Sequence, residues 1–108
     1  KETEEKILRW QTLAVDVAAM VACVDNGDDA PVMLDLTPTE FSLLATLLRS
    51  PAHPFSRQYL LEHCLPESEA LERVVDTHIY NLRKKLEAAG ISGVLVNVRG
   101  VGYRFRQP

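Results

Sequence analysis

Apolar and polar positions alternate with two different periods along this chain, and the change falls near Thr37. Before it the apolar runs are short and follow a period of two. Ile7 to Trp10 is the first; Leu13, Val15 and Val17 alternate with small or polar neighbours; Met20 to Val24 is the third; Val32, Leu34 and Leu36 alternate with Met33 and Asp35. That period marks strands with one face against a core. Asp25-Asn26-Gly27-Asp28-Asp29 is a turn cluster containing Asn-Gly, a strong hairpin signal. Short strands in succession, joined by tight turns, predict a four-stranded antiparallel meander.

After Thr37 the period becomes helical. Thr37-Pro38-Thr39-Glu40 has the spacing of a capping box with proline at the first helical position. Phe41, Leu44, Ala45 and Leu48 follow as one apolar stripe, and Ser50-Pro51 ends the helix. Ser56 is placed to cap a second, shorter helix running to Cys64, with Leu60 and Leu61 inward, and Pro66 stops it. A third helix is predicted from about Leu71 to Ala89, with Gly90 just past its end. Its buried stripe is Val75, Ile79, Leu82 and Leu86. Arg73, Val74, Thr77, His78, Asn81, Lys84 and Lys85 project away, Arg83 lies at the boundary, and Asp76 and Arg83 are expected to make internal bonds that orient the helix. Val94, Val96 and Val98, then Tyr103 and Phe105, alternate on either side of Arg99-Gly100-Val101-Gly102, which predicts a hairpin. The fold class is therefore α+β: an N-terminal four-stranded antiparallel sheet, three helices and a C-terminal β-hairpin, the layout of a winged helix-turn-helix.

Charge sharpens this. The 108 residues carry a net charge of −3. Residues 1–72 hold 5 Lys+Arg against 13 Asp+Glu, whereas residues 73–108 hold 7 against 2. A basic segment on an acidic chain points to an anionic partner for that segment. The length suits one domain, taken as residues 7–108, with the charged and apolar-free residues 1–6 as an interdomain linker remnant. Because the chain opens on Lys1, it is expected to be a piece of a longer protein. No apolar run is long enough to span a membrane, and Cys23 and Cys64 are expected as small core residues in a reducing compartment. His53, His63 and His78 lack metal spacing with one another or with Cys64, so neither metal nor cofactor is expected. No nucleophile–base pair or paired carboxylates converge, which argues against an enzyme.

A helix with an outward basic face, followed by a basic hairpin, suits duplex DNA. The second helix of a helix-turn-helix pair enters the major groove, where Arg bonds guanine bidentately and Asn bonds adenine. Val74 and the Thr77 methyl suit a thymine methyl, and Lys84 and Lys85 suit phosphates, which position without reading sequence. Arg99 at the hairpin bend suits a narrow minor groove. This reading requires Arg73, Lys84, Arg99 and Arg104 on one continuous face. Scattered positions favour the alternative, a winged-helix module that docks protein.

Five segments in order carry a family resemblance: Leu36-Thr37-Pro38-Thr39-Glu40-Phe41-Ser42-Leu43-Leu44, Phe55-Ser56-Arg57-Gln58-Tyr59-Leu60-Leu61, Arg73-Val74-Val75-Asp76-Thr77-His78-Ile79, Leu82-Arg83-Lys84-Lys85-Leu86 and Val98-Arg99-Gly100-Val101-Gly102-Tyr103-Arg104. Together they resemble the DNA-binding output domain of OmpR/PhoB-class bacterial response regulators, the effectors of two-component phosphorelays. The resemblance covers about Val32 to Phe105. It implies a receiver domain in the same chain, dimers placed head-to-tail on direct repeats of double-stranded promoter DNA, and a cytoplasmic, nucleoid-associated transcription regulator in a bacterium. By position it carries DNA contacts to Arg73, Val74, His78, Asn81, Arg83 and Lys84 on the helix and to Asn97, Arg99 and Tyr103 at the wing. It places an RNA polymerase contact on the loop between the second and third helices, at Leu65, Pro66, Glu67, Ser68 and Glu69. Two departures stand out: Cys64-Leu65 takes the place of an aromatic residue at the end of the second helix, and the loop from Asp25 to Ala30 is longer and more acidic than usual, so it is expected on the side away from DNA.

Overall fold

The computed structural model describes residues 7–66 and 71–107. The chain opens with four strands, β1 (Ile7–Trp10), β2 (Leu13–Asp16), β3 (Val21–Asn26) and β4 (Asp29–Met33), followed by α1 (Pro38–Arg49). A two-residue strand β5 (Phe55–Ser56) leads directly into α2 (Arg57–Cys64), and α3 (Arg73–Ala88) precedes the hairpin β6 (Leu95–Val98) and β7 (Gly102–Phe105). The first sheet is an antiparallel meander in the order β1-β2-β3-β4; the second has the order β5-β7-β6. This is the winged-helix architecture that the two periods predicted.

Local chemistry explains the boundaries. The Thr37 side chain accepts from the Glu40 N–H at 3.1 Å while the Glu40 carboxylate accepts from the Thr37 N–H at 3.0 Å, closing the capping box at the start of α1. Ser56 caps α2 by accepting from the Tyr59 N–H at 3.0 Å. Met20 takes φ of 55° in the turn before β3, so that strand starts at Val21 rather than Met20.

Three expectations are corrected. β4 does not run from Val32 through Leu36 with one apolar face: it spans Asp29–Met33, and all five of its residues are exposed. Among the described residues it is an edge strand paired with β3 alone, and Leu34 and Leu36 leave it to pack half-buried on the core. The C-terminal hairpin of β6 and β7 forms as expected but does not stand alone, because β5 adds a third strand through Phe55↔Tyr103 and Ser56↔Gly102. A Cβ at Gly102 would lie 2.1 Å from the Phe55 carbonyl oxygen, so this pairing requires glycine there. Lastly, α3 begins at Arg73 rather than Leu71.

The core joins both ends of the chain. Leu13 and Val15 of β2 share it with Leu43, Leu44 and Leu47 of α1 and with Phe105, all fully buried. The Trp10 ring meets Phe105 edge-on at 5.6 Å, and its Nε1–H donates to the Arg106 carbonyl at 3.1 Å. Val75, Ile79, Leu82 and Leu86 turn the predicted stripe of α3 into the core. Each such side chain contributes about 1.5–3 kcal/mol by leaving water, enough to fix which side of α3 faces out.

Candidate nucleic-acid interface

Residues advance by 100° along a helix, so a stripe of Val75, Ile79, Leu82 and Leu86 leaves Arg73, Thr77, Asn81 and Lys84 on the opposite side of α3. All four are exposed. Tyr80 shares that side, is 55% exposed, and its ring lies 5.6 Å from the Lys84 ammonium. The sequence reading omitted Tyr80, although its spacing from Thr77 and Lys84 places it on the same strip. Val74 and His78 lie on one flank and are half-buried, and Val74 packs against the core instead of standing clear of it.

The other flank of α3 is bonded to the wing. One Asp76 carboxylate oxygen accepts from Arg57 Nε of α2 at 2.7 Å and also from the Tyr103 hydroxyl of β7. The Arg57 guanidinium sits 5.9 Å from the Tyr103 ring centre. Burial pushes the Asp76 pKa up, but the Arg57 and Tyr103 hydrogen bonds outweigh it and hold the group below its ordinary value. The same contacts raise Arg57, through its bond to Asp76, and raise Tyr103, through burial and then the Asp76 bond, so the cluster persists as carboxylate, guanidinium and neutral phenol. Two turns further on, Arg83 Nη2 donates to the Leu95 carbonyl at 2.9 Å and reaches Asn97 Oδ1 at 3.5 Å. Asp76 and Arg83 thus make the internal bonds expected of them, and Arg57 is a member of the cluster that the sequence reading did not single out.

The remaining candidates are distributed as follows. Asn97 and Arg99 are exposed, with Arg99 in the tight turn closed by Val101 N–H to the Val98 carbonyl at 2.9 Å and by Gly100 at φ of 77°. Tyr103 is 5% exposed and offers no free surface to a ligand in this arrangement. Asn97 pairs across the hairpin with Tyr103 and Val96 with Arg104. Strand alternation therefore turns Arg104 to the hairpin face away from Asn97. Lys85, expected outward, is turned the opposite way: its Nζ bonds the Glu40 carboxylate at 2.7 Å and the Asp35 carbonyl at 2.8 Å. Burial raises the Glu40 pKa, but the Lys85 and Thr37 bonds prevail and keep it depressed. Among the described residues, the exposed cations of the α3 strip and the wing turn are thus Arg73, Lys84 (over the Tyr80 ring) and Arg99, without Lys85 or Arg104. In the loop after α2, Leu65 is buried and Pro66 exposed; Glu67, Ser68 and Glu69 lie outside the described residues. Among the described residues no group of three His, Cys, Asp or Glu side chains is arranged to hold a metal ion, and no helix is long and apolar enough to cross a membrane.

A helix strip flanked by a wing that is bonded to it defines a winged-helix domain with an exposed recognition helix. Comparison with known proteins identifies the family: residues 31–105 match the model for the C-terminal domain of transcriptional regulatory proteins, and the chain belongs to that family. It is of the OmpR/PhoB response-regulator class. It is 44% identical over 102 residues to the phosphate regulon transcriptional regulatory protein PhoB of Escherichia coli K12, covering 94% of this chain and 42% of the relative. It is 47% identical over 75 residues to the transcriptional regulatory protein BaeR of E. coli O6:H1, covering 68% of this chain and 31% of that protein. The chain thus spans less than half the length of these relatives. Among solved structures, the DNA-binding domain of the response regulator AdeR, in complex with an intercistronic region, superposes with a TM-score of 0.82 at 37% identity, covering 92% of this chain and 98% of that one. The DNA-binding domain of CpxR from E. coli superposes at 0.78 and 28% identity, covering 94% and 96%.

Proposed function

We propose that this chain is the output domain of a transcriptional regulator and binds double-stranded DNA by sequence, with α3 in the major groove and Arg99 at the adjacent minor groove. The observation that carries this is the exposed strip Arg73, Thr77, Asn81, Lys84 lying beside a wing tied to the same helix by Asp76 and Arg83. The side chains divide by chemistry. Arg73 and Asn81, with Thr77, Val74 and His78 around them, are suited to base edges, and Lys84 to a phosphate. Arg83, Asn97 and Tyr103 set the angle between helix and wing, with Arg83 and Asn97 expected to touch the backbone of a bound duplex.

With a chain of net charge −3, long-range attraction to DNA is weak, and binding depends on these few local cations. Three of them imply a salt slope of roughly −3 per domain. In gel-shift titrations at several salt concentrations on a site selected from random DNA, Arg99→Ala is expected to weaken binding by about 1–3 kcal/mol and to relax specificity at its own position. Lys84→Ala is expected to weaken all sequences alike and to reduce the slope by roughly 1. Equal affinity of both variants and the parent would overturn the groove assignment.

The relatives, each a longer regulatory protein, support a wider setting. In this reading residues 1–6 link residues 7–108 to a receiver domain, whose phosphorylation pairs two output domains head-to-tail on direct repeats. The loop of Leu65 to Glu69 then meets RNA polymerase, and the protein works on the bacterial nucleoid without catalysing a reaction of its own. Copurification of the full-length protein with polymerase, lost on replacing that loop by glycine and serine, tests the last contact.

A further inference from the structure

Two clefts on the surface share one wall. The first, about 350 Å³, lies between α1 and the start of α2; the second, about 250 Å³, lies between α1 and the turn before β3. Ser42, Thr46 and Arg49 line both, so the two clefts adjoin along α1 and are treated together as one groove. Its floor is small and polar. On one side stands Met20, 56% exposed. On the other runs a continuous ladder of rings: Phe55 against Tyr59 at 5.1 Å, then Tyr59 stacked on His63 at 3.9 Å.

The groove's charge sets it apart from the region that contains it. Residues 1–72 carry a large excess of carboxylates, yet among the described residues no Asp or Glu lines either cleft. Arg49 stands at the rim, exposed, with no side-chain hydrogen bond or ion pair among the described residues. A single permanent cation beside an aromatic ladder does not suit a nucleic-acid backbone, which needs a row of cations. It suits one carboxylate carried beside bulky apolar side chains.

We propose that this groove docks a protein segment in which an Asp or Glu pairs with Arg49 while a neighbouring aliphatic or aromatic side chain packs between Met20 and the Tyr59–His63 ladder. The site is separate from the DNA surface. Arg57 points from α2 toward α3, whereas Tyr59 lies two residues on, ~200° around the same helix. A bound segment and a bound duplex are therefore compatible, and the groove gives a DNA-bound regulator a second surface for recruiting or sensing a partner.

The test is a selection from a displayed library of random 12-residue peptides on the 108-residue chain, followed by titration of the synthetic consensus peptide. Recovered sequences should be rich in Asp or Glu beside Leu, Ile or Phe. The peptide should move the backbone NMR signals of Ser42, Thr46, Arg49 and Tyr59. Arg49→Glu and Tyr59→Ala should each cost tenfold or more in peptide affinity, and Arg49→Lys should retain most of it. Operator affinity of all three should match the parent, so a failure here leaves the DNA reading standing, and the reverse. Recovery of peptides without acidic residues, signals moving elsewhere, binding indifferent to Arg49→Glu, or displacement of the peptide by a non-operator duplex would each overturn the proposal.

Discussion

The sheet β1–β4 pairs every strand with its neighbour in sequence, whereas β5-β7-β6 joins Phe55 and Ser56 to a hairpin that begins forty residues later, at Leu95. The first sheet is a local object. Its strands are linked by tight turns, and its inner face is closed by Leu13, Val15, Ala22 and Val24. The second depends on the helices, because Asp76 and Arg83 of α3 bond Tyr103 of β7 and Leu95 of β6, and Arg57 of α2 bonds the same Asp76. Exposed side chains of β4 are expected to tolerate change with little effect on α3, which meets that end of the sheet through the Lys85 bond to the Asp35 carbonyl, whereas a change in the wing is expected to alter the angle at which α3 and Arg99 meet a partner.

Gly102 offers the sharpest way to break that contrast. Gly102→Ala puts a methyl group 2.1 Å from the Phe55 carbonyl oxygen, and a backbone oxygen cannot swing aside as a side chain can. The strand pairing at Phe55 and Ser56 must open. A loss of about 2–3 kcal/mol is expected by urea denaturation, in the range of overpacked cores, together with a weakened operator complex. A stabilising local meander predicts the opposite for Met33→Thr on exposed β4, with a change within about 0.5 kcal/mol and unchanged DNA affinity. If Gly102→Ala is equally silent, the wing is not held by β5.

Glu40 sharpens the comparison from the other side. It is 3% exposed and joins the start of α1 to α3 through Lys85, which also bonds the Asp35 carbonyl on the segment leaving β4. This is the polar tie between α3 and the first half of the chain, as Arg83 is the tie to the wing. Glu40→Ala removes both the reciprocal half of the capping box and the partner of a half-buried ammonium. About 1–2 kcal/mol of stability should go, less than for a fully desolvated pair because Lys85 keeps contact with water. The salt slope of operator binding should stay as it was, since Lys85 was never on the DNA side. A slope reduced by roughly 1 would show Lys85 reaching phosphate after all.

The parts of this molecule that were legible in its sequence are those with a local cause. Thr37-Pro38-Thr39-Glu40 announces its helix because both partners of the capping box lie within one turn. Val75, Ile79, Leu82 and Leu86 announce the buried side of α3, and with it the outward place of Arg73, Thr77, Asn81 and Lys84. The candidate cations at Lys85 and Arg104 show where such reading stops. Lys85 stands next to Lys84 in sequence but 100° around the helix, facing Glu40 from 45 residues away. Arg104 alternates with Tyr103, and only the pairing register says which of the two faces α3. β5 has two residues, too few for any period to register, and the side of α2 that carries Tyr59 and His63 is defined by α1 rather than by α2's own pattern. Long-range partners decided each of these positions.

A smaller effect than those of Gly102 and Glu40 is expected from titrating the wing's anchor. Asp76 and Glu40 both have folded-state pKa values below those of the unfolded chain. Between the folded and unfolded values the unfolded state binds more protons, so stability rises with pH there. The contribution is complete above the ordinary carboxylate range, near pH 4, and is lost as pH falls through the depressed folded values. Asp76 and Arg57 are each about two-fifths exposed, so their pair is worth only ~0.2–1 kcal/mol. Asp76→Asn keeps an oxygen for Tyr103 but removes the charge. Urea midpoints taken from pH 7 down to pH 3 should start slightly lower for the variant and converge on the parent at the acid end. At pH 7 the variant's operator affinity should fall modestly, because the carboxylate that joins Arg57 of α2 and Tyr103 of β7 to α3 is gone. Parallel curves over the whole range would mean that the Asp76 carboxylate is solvated rather than bonded, and that the wing rests on β5 and Arg83 alone.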